Sequence, residues 1–346
     1  MKQPLIILTG PTAAGKTALS IRLAKALDGE IISADSMQVY RHMDIGSAKI
    51  TPEEMEGVPH HLIDVLEPWE EFNVAAFQRM ARKALDGIYA RGRMPIVTGG
   101  TGFYIQALLY GVEFEENPED SPVRRELYAL AEKEGEQAPG ILHAMLRQVD
   151  PASADAIHPN NIKRVIRAIE YYRLTGAPIS GHNQAMRAKE ADYDFLYYVL
   201  TMDRARLYER IDRRVDQMME QGLVGEVERL QKMGCHRGQT AMQGLGYKEI
   251  LDFLEGKCSL DEAVYILKRD TRHFAKRQLT WFKRERDVIW LDKQEIGRDD
   301  GSVIGRILDV LKEKGIIDST AGNTPQDQET DKNTDGKTTE GKESGK

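Results

Sequence analysis

Eight residues near the N-terminus have the types and spacing of a phosphate-binding loop. They fit the pattern G-x-x-x-x-G-K-[ST] and are Gly10, Pro11, Thr12, Ala13, Ala14, Gly15, Lys16 and Thr17. The loop follows an apolar run and opens a helical pattern, so backbone amides and a helix N-terminus would converge on phosphate oxygens. Lys16 would add positive charge, and the Thr17 hydroxyl would supply a Mg²⁺ ligand. Such loops are typical of nucleotide-binding and ATP-binding proteins, but any diphosphate would satisfy the same geometry.

Polar residues also follow two later apolar runs. Asp35 comes directly after the second run, where its carboxylate would coordinate Mg²⁺ indirectly, accept a proton, or simply cap a turn. The third run ends in residues 99–102, which read GGTG. These glycines predict close approach by a ligand, and Thr101 offers a hydrogen bond to it. Because the carboxyl ends of parallel strands lie at one edge of a sheet, we expect the three clusters to face one crevice.

The order of the elements that must position these clusters indicates an α/β protein. Short apolar runs with strand character occupy residues 4–9, 30–34, 94–98, 195–201 and 287–291. Helical patterns follow the first and fourth runs, at residues 18–27 and 204–221. The long separations between runs suit crossover connections in a parallel sheet. The pattern therefore predicts a doubly wound P-loop α/β fold.

The strand pattern disappears in the middle of the chain. Residues 113–191 form helical stretches separated by prolines, which predicts a helical subdomain inserted into a core made of residues 1–112 and 192–318. The last 28 residues, 319–346, contain no Val, Ile, Leu, Met or aromatic residue. Such a segment buries too little apolar surface to offset its ordering entropy, so we predict that it is disordered.

Composition excludes several classes of protein. The 346 residues are 41% hydrophobic and 30% charged, which is enough for a sizeable core, and we expect Trp69 and Trp290 to lie in it. No apolar run approaches the roughly 20 residues that cross a bilayer, and we see no signal-peptide pattern, so we expect a cytoplasmic protein. The two cysteines, Cys235 and Cys258, exclude a disulfide framework and a CxxC metal motif.

Charge is distributed unevenly. The formal net charge of −7 argues against a nucleic-acid partner. Residues 268–287, however, contain eight basic and three acidic residues, interleaved with Phe274, Trp281 and Phe282. The segment is either a helix with a buried aromatic face and a solvated basic face, or a surface for a nucleic-acid backbone.

Taken together, these motifs resemble those of the tRNA dimethylallyltransferases, also called tRNA isopentenyltransferases. The resemblance rests on residues 10–17, 32–40 (ISADSMQVY), 43–49 (MDIGSAK), 59–64 (PHHLID), 99–104 (GGTGFY) and 243–248 (QGLGYK), and on the basic helix near Trp281. It extends from about Leu5 to Leu291. It implies transfer of a dimethylallyl group from dimethylallyl diphosphate to the exocyclic amine of the adenosine 3′-adjacent to the anticodon in tRNA, with release of diphosphate.

The resemblance also implies roles for the three clusters. The loop would hold the diphosphate together with the cofactor Mg²⁺, for which Thr17 is a ligand, and Lys16 would stabilise the leaving group. Asp35 would be the general base, and Thr101 would contact the leaving oxygen. Arg204 and Arg210 resemble additional diphosphate ligands, with an exposed, salt-bridged helix face as the alternative.

The implied partners are dimethylallyl diphosphate and the anticodon stem-loop of tRNA, and we expect a monomer without membrane contact. The insertion would bind tRNA, and the amide of Gln38 suits an adenine edge. For residues 161–165 the alternative is a helix start with a solvated basic face. The implied tRNA contacts are Asp35, Ser36, Met37, Gln38, Thr101, Arg124, Asn161, Ile162, Lys163, Arg164, Val165, Gln243, Gly244, Gly246, Tyr247 and Lys248.

Two other functions use the same loop. A small-molecule or nucleoside kinase would need Lys16 and Mg²⁺ and would consume ATP. An RNA-binding module in which the loop is a regulatory nucleotide switch would bind RNA without modifying it. The joint occurrence of residues 35–38 (DSMQ), residues 99–102 and the basic aromatic helix favours alkyl transfer over both.

Overall fold

The chain is organised around one parallel β-sheet. The computed structural model describes residues 2–112, 121–296 and 300–317, and within them the sheet has six strands in the order β3-β2-β4-β1-β5-β6. All neighbouring strands are parallel, so every connection crosses over the sheet. The strands are β1 (Pro4–Thr9), β2 (Gly29–Ser33), β3 (His60–His61), β4 (Met94–Gly99), β5 (Asp194–Thr201) and β6 (Val288–Asp292).

Helices cover both faces of the sheet and also form a separate group. Those before β5 are α1 (Lys16–Leu27), α2 (Val74–Ala90), α3 (Gly102–Tyr110), α4 (Pro122–Glu134), α5 (Ala138–Val149), α6 (Pro151–Ala156), α7 (Ile162–Thr175) and α8 (Ile179–Ala188). Those after β5 are α9 (Arg204–Glu220), α10 (Leu223–Lys232), α11 (Tyr247–Leu254), α12 (Leu260–Phe282), α13 (Lys293–Ile296) and α14 (Asp300–Glu313). None of the helices in the described ranges is long and apolar enough to cross a membrane.

The central strands are apolar because both of their faces are buried. In β1, Ile7 belongs to the core under α2, α3 and α12, whereas its neighbours Ile6 and Leu8 belong to the core under α1 and α14. Successive side chains of a strand point to opposite faces, so a strand between two helical layers needs an uninterrupted apolar run. This is the physical reason that the runs in the sequence predicted the sheet.

Helices α4–α8 pack around a hydrophobic cluster of their own. Leu127, Leu142, Leu146, Val165 and Ile169 are its buried centre, contributed by α4, α5 and α7. The first helix of the group begins with local signals, because the Ser121 side chain accepts the backbone N–H of Arg124. Pro122 follows at the first helical position, where no N–H is needed.

The sequence-based fold class is confirmed, with corrections to individual elements. Asp287, predicted in the last strand, has a φ of 57° and lies outside it. The short strand β3 was not predicted, because two residues carry no periodic signal. Trp69 and Trp290 were wrongly expected in the core and are 50% and 39% exposed. The predicted disorder of residues 319–346 lies outside the described residues.

A buried carboxylate ties the edge of the sheet together. Glu30 of β2 is 2% exposed and accepts two hydrogen bonds from Arg91, from Nε at 2.8 Å and from an Nη at 2.7 Å. Nε2 of His61 in β3 lies 2.7 Å from the same carboxylate. The Arg91 hydrogen bonds, assisted by His61 and opposed by burial, lower the pKa of Glu30 to about 2. The ionised form therefore stabilises the fold wherever unfolded Glu30 would also be ionised.

We expect Glu30→Gln to lower the free energy of unfolding at neutral pH by about 2–3 kcal/mol, because it leaves Arg91 and His61 without a counter-charge. The deficit should close as the pH falls from about 5 towards 2, since native Glu30 then becomes protonated too. Urea unfolding followed by circular dichroism across this range measures it. Glu56→Gln, at an exposed pair with Lys25, is the control. A deficit that stays constant with pH would contradict the assignment.

Candidate active site

The phosphate-binding loop is held in place by its backbone. Gly10 has a φ of 150°, and a Cβ there would lie 2.7 Å from the carbonyl oxygen of Leu200 in β5. Gly15, at the N-terminus of α1, has a φ of 91°, in the left-handed region that glycine adopts most easily. Gly10 therefore allows the close approach of the loop to β5, and Gly15 allows the turn into α1. They leave the amides at the start of α1 directed out of the helix, where they attract anions.

Lys16 lies across the loop. Its Nζ donates hydrogen bonds to the carbonyl oxygens of Gly10, at 3.0 Å, and Pro11, at 2.9 Å. Burial and the nearby charge of Arg214 lower the pKa of Lys16 to about 8, with Asp35 acting in the opposite direction. An anion in the loop would restore the full charge of this lysine, because it would offset both effects.

Further cations surround the loop. Nε of Arg210 in α9 donates to the Ala13 carbonyl oxygen at 2.8 Å. Arg214 follows one turn later, and burial together with Arg210 lowers its pKa. Nζ of Lys293 would lie 3.2 Å from a Cβ placed on Gly15. The loop thus stands in a strongly positive environment.

The sequence predicted only part of this set. Arg210 is at the loop, but Arg204 donates to the Tyr208 hydroxyl at 3.0 Å and lies over that ring. Arg214 and Lys293 were missed. The four-residue step from Arg210 to Arg214 places both on one face of α9, and Lys293 directly follows β6, so each carried a signal that could have been used.

Asp35 caps a turn, as one of the sequence-based alternatives predicted, and its catalytic role stays a prediction. Its Oδ1 accepts the backbone N–H groups of Met37, at 2.8 Å, and Gln38, at 3.3 Å, so the carboxylate caps the turn after β2. Its charge also acts on Lys16 and Arg214, which places it beside the loop. The two backbone hydrogen bonds fix the direction of the carboxylate.

Gln38, predicted to meet an adenine edge, uses its amide within the protein. Nε2 donates to the carbonyl oxygens of Ala48, at 3.1 Å, and Ser47, at 3.4 Å. Oε1 accepts from the Ser33 hydroxyl at 3.4 Å. Gln38 would have to exchange these partners to read a base, whereas the partly exposed Ser36 is accessible as it stands.

The glycines of residues 99–102 are packed against the protein itself. A Cβ on Gly99 would lie 2.3 Å from the Ala34 carbonyl oxygen, and one on Gly100 would lie 2.1 Å from Nε2 of Gln278. A Cβ on Gly102 would meet Trp281 at 2.2 Å. The predicted close approach is therefore made by the chain and not by a ligand. Thr101, which donates its N–H to Ala34 at 3.3 Å, keeps a partly exposed side chain at the start of α3.

Among the predicted tRNA contacts, Arg124 lies in an ion pair. Its Nε lies 3.1 Å from both oxygens of Glu170, and an Nη lies 2.8 Å from one of them. Glu170 is 1% exposed and also accepts from the Ser121 hydroxyl. Losing Arg124 would leave a buried carboxylate without its charge partner, so this arginine supports α4 and α7 structurally.

Only part of residues 161–165 can reach a partner through side chains. Val165 is fully buried in the core of α4–α8, and Ile162 packs against it. Asn161, Lys163 and Arg164 are exposed at the start of α7. The apolar residues of this segment therefore belong to the helix core, as the structural alternative predicted. The polar residues form an accessible basic surface.

Residues 243–248 likewise mix exposed and supporting positions. Gln243 and Lys248 are accessible, whereas Gly244 and Gly246 are buried. Tyr247 is fully buried and donates its hydroxyl to Glu226 at 2.8 Å. Its side chain is therefore not accessible to RNA in this structure.

Glu226 is a hydrogen-bond centre for the neighbouring loop. Its carboxylate accepts the backbone N–H groups of Asp44, at 3.0 Å, Ile45, at 2.8 Å, and Gly46, at 3.0 Å. It also accepts the Tyr247 hydroxyl, so it joins residues 44–46 to α10 and α11. This buried acid, which the sequence did not reveal, holds two of the family motifs together.

The basic helix α12 also divides into two sets. Lys268 and Arg272 pair with Asp216 and Asp212 of α9, each at 2.5 Å, and so face the protein. Lys276 and Arg277 are exposed near the end of the helix, as are Lys283 and Arg284 just after it. The second set leaves a positive surface next to residues 99–102, since Gln278 and Trp281 pack on those glycines.

The donor set suits a Mg²⁺ ion that is held largely by its substrate. Within the described residues no cluster of three or more His, Cys, Asp or Glu residues forms a metal cage. The exposed Thr17 hydroxyl and the Asp35 carboxylate are hard oxygen ligands at the loop. Mg²⁺ is commonly bound by one or two protein oxygens, phosphate oxygens and water, so these residues fit it.

Comparison with known families places the chain clearly. A sequence model of the IPP transferase family matches residues 38–285, and one described as isopentenyl transferase matches residues 3–67. The tRNA dimethylallyltransferase of Lachnoclostridium phytofermentans is 61% identical over 315 residues, which are 91% of this chain and 99% of that protein.

Solved structures agree with the sequence matches. The full-length tRNA isopentenylpyrophosphate transferase from Bacillus halodurans is 44% identical, with a TM-score of 0.67, covering 91% of this chain and 99% of that one. A eukaryotic dimethylallyltransferase acting on tRNA has a TM-score of 0.76 at 30% identity and covers 94% of this chain and 81% of that one.

We expect the affinity for inorganic diphosphate to fall as the pH rises from about 7 to about 9, because Lys16, with its pKa of about 8, then loses its charge. Lys16→Arg keeps its charge throughout this range, so its affinity should change less steeply. Isothermal titration calorimetry of both proteins measures the difference, and ionisation of diphosphate itself cancels between them. Parallel curves would show that Lys16 does not titrate in the site.

Proposed function

This chain belongs to the tRNA dimethylallyltransferase family, and from that premise we propose which of its residues carry out the reaction. Members of the family transfer a dimethylallyl group to tRNA, and this chain is such a transferase. The observation that carries the proposal is the position of Asp35 beside Lys16, which brings a proton acceptor and a phosphate-binding cation to one edge of the sheet.

The loop would hold the leaving group of dimethylallyl diphosphate. Its amides and Lys16 would bind the phosphate oxygens, and Arg210 with Arg214 would add charge from α9. Negative charge grows on the diphosphate as the allylic C–O bond breaks, so cations fixed in advance lower the barrier. When bound, Mg²⁺ would share this charge, with Thr17 and the diphosphate oxygens as its ligands.

Asp35 would act on the nucleophile. The exocyclic amine of adenine is a weak nucleophile, and its nitrogen must lose a proton as it bonds to the allylic carbon. Oδ1 of Asp35 is held by the Met37 and Gln38 amides, so the carboxylate is oriented before substrate arrives. The proton passes to Asp35, the C–O bond electrons leave with the diphosphate, and the Thr101 hydroxyl would contact the leaving oxygen.

The tRNA would lie over the exposed polar residues at this edge. We propose that its anticodon stem-loop presents the adenosine 3′ of the anticodon, turned out of the base stack, to Asp35. The accessible contacts are Ser36, Met37, Asn161, Lys163, Arg164, Gln243 and Lys248, with the exposed cations of α12. Helices α4–α8 would form the insertion that meets the stem. A monomeric state and a cytoplasmic location, where tRNA is found, remain predictions.

Mass spectrometry of the product tRNA tests the proposal directly. Purified protein, unmodified tRNA and Mg²⁺ are incubated with dimethylallyl diphosphate in one reaction and with ATP in another. We expect one dimethylallyl mass increment on a single anticodon-loop adenosine, formed without ATP. ATP consumption with a small acceptor, and no increment on tRNA, would favour a kinase instead.

We expect Asp35→Asn to lower kcat by roughly a hundredfold or more, the scale of losing a general base, while tRNA affinity stays close to that of the native protein. Asparagine can still accept the Met37 and Gln38 amides, so the turn should persist. Asp44→Asn, at an exposed carboxylate paired with Lys49, is the matched control. Single-turnover kinetics and tRNA binding measure the two effects. An unchanged kcat would remove Asp35 from the base role.

A further inference from the structure

One side chain connects the loop, the turn at residues 99–102 and the helix α12. Gln278, in the last third of α12, is 6% exposed. Its Oε1 accepts the backbone N–H of Thr12 at 2.9 Å, and its Nε2 donates to the carbonyl oxygen of Gly100 at 2.9 Å. The amide of Gln278 thus joins the loop after β1 to the turn after β4, and both of its hydrogen-bonding groups are occupied.

The fit around this amide is tight. A Cβ on Gly100 would lie 2.1 Å from Nε2 of Gln278, so only glycine leaves room for the hydrogen bond at that position. Trp281, three residues along α12, fills the equivalent space at Gly102. Since residues i and i+3 share a helix face, Gln278 and Trp281 of α12 pack against Gly100 and Gly102 from the same side.

The contact also changes which amides are available to phosphate. Because the N–H of Thr12 is directed at Gln278 and the N–H of Ala14 donates to the Pro11 carbonyl oxygen at 3.2 Å, the diphosphate would be left the other N–H groups between Ala13 and Thr17. These groups bind phosphate only if they converge, and the orientation of the first peptide of the loop constrains those behind it. The partner on the other side, Gly100, precedes Thr101 by one residue.

We propose that Gln278 is a positioning residue for the diphosphate site, acting through the Thr12 amide and the Gly100 carbonyl. This inference rests on the proposed function, in which the loop holds the diphosphate leaving group. Gln278, an uncharged residue of α12, would thus take part in diphosphate binding. The sequence alone does not indicate this role, because Gln278 lies 266 residues from Thr12 in the chain.

The test compares Gln278→Met, which keeps the side-chain volume and removes both hydrogen bonds, with the native enzyme. We expect the Kd for inorganic diphosphate with Mg²⁺ and the KM for dimethylallyl diphosphate to rise by about tenfold. The KM for tRNA should stay within about twofold, because no RNA-facing group is lost. Thr280→Ala, at an exposed position of the same helix, is the control for effects on α12.

A second route reaches the same contact from its other side. Gly100→Ala should weaken diphosphate binding by displacing the Gln278 amide. In Gly100→Ala combined with Gln278→Ala, the added methyl group has room, so the double variant should bind diphosphate no worse than Gln278→Ala alone. Thermal unfolding of each variant confirms that it is folded.

The outcomes separate this inference from the proposed function. If the native protein binds no diphosphate and transfers no dimethylallyl group, the proposed function fails. If the native protein does both, three results would overturn the role of Gln278: native diphosphate affinity in Gln278→Met, equal increases in both KM values, or multiplicative losses in the double variant.

Discussion

Positive charge gathered around a ligand-binding loop is the constraint on which the rest of this structure depends. Lys16, Arg210, Arg214 and Lys293 converge on residues 10–17, where the N-terminus of α1 adds a further partial positive charge. Such an arrangement opposes folding, because burial, and after it the repulsion of a neighbouring arginine, lowers the pKa of both Lys16 and Arg214. The large two-sided core supplies the stability that tolerates it. Binding of a diphosphate, as proposed, would relieve the repulsion and stabilise the folded state.

Carboxylates near the loop, among them Glu54, offset part of this positive charge. Asp35 acts on Lys16, and Asp300 pairs with Lys293 at 2.7 Å. The carboxylate that serves as the proposed base is thus also a counter-ion of the resting site. Arrival of a more highly charged diphosphate would free Asp35 from that task, so that the same group becomes available to the amine of the second substrate.

Local patterns in the sequence predicted the sheet and the loop, but they did not predict the contacts between residues far apart in the chain. The apolar runs predicted five strands because burial on both faces leaves a clear signature, and the loop has a fixed spacing. Gln278 and Glu226 lie at helical spacing on the buried faces of α12 and α10, but their roles could not be inferred because their partners lie far away in the chain. The glycines of residues 99–102 indicated that some group approaches the backbone closely there, but the sequence did not show that this group is a part of the protein itself.

The motif residues themselves separate into accessible residues and residues that support the fold. Tyr247 and Val165 are buried, and Arg124 is paired with Glu170, although all three lie in stretches that the resemblance assigned to tRNA. A sequence motif includes residues that support the shape of a site as well as residues that are accessible to a ligand. Burial and hydrogen-bond partners distinguish the two kinds, which sequence spacing does not.

The position of Gln278 near the end of the fold has a consequence for synthesis. The loop lies within the first twenty residues to be synthesised, but the side chain that fixes Thr12 follows more than 260 residues later, and Lys293 comes later still. At typical elongation rates a growing chain therefore spends tens of seconds with an incomplete site. Under the proposed role of Gln278, a nascent chain would not hold diphosphate as the finished enzyme would, and the cationic cluster would be assembled only when nearly the whole core is present to support it.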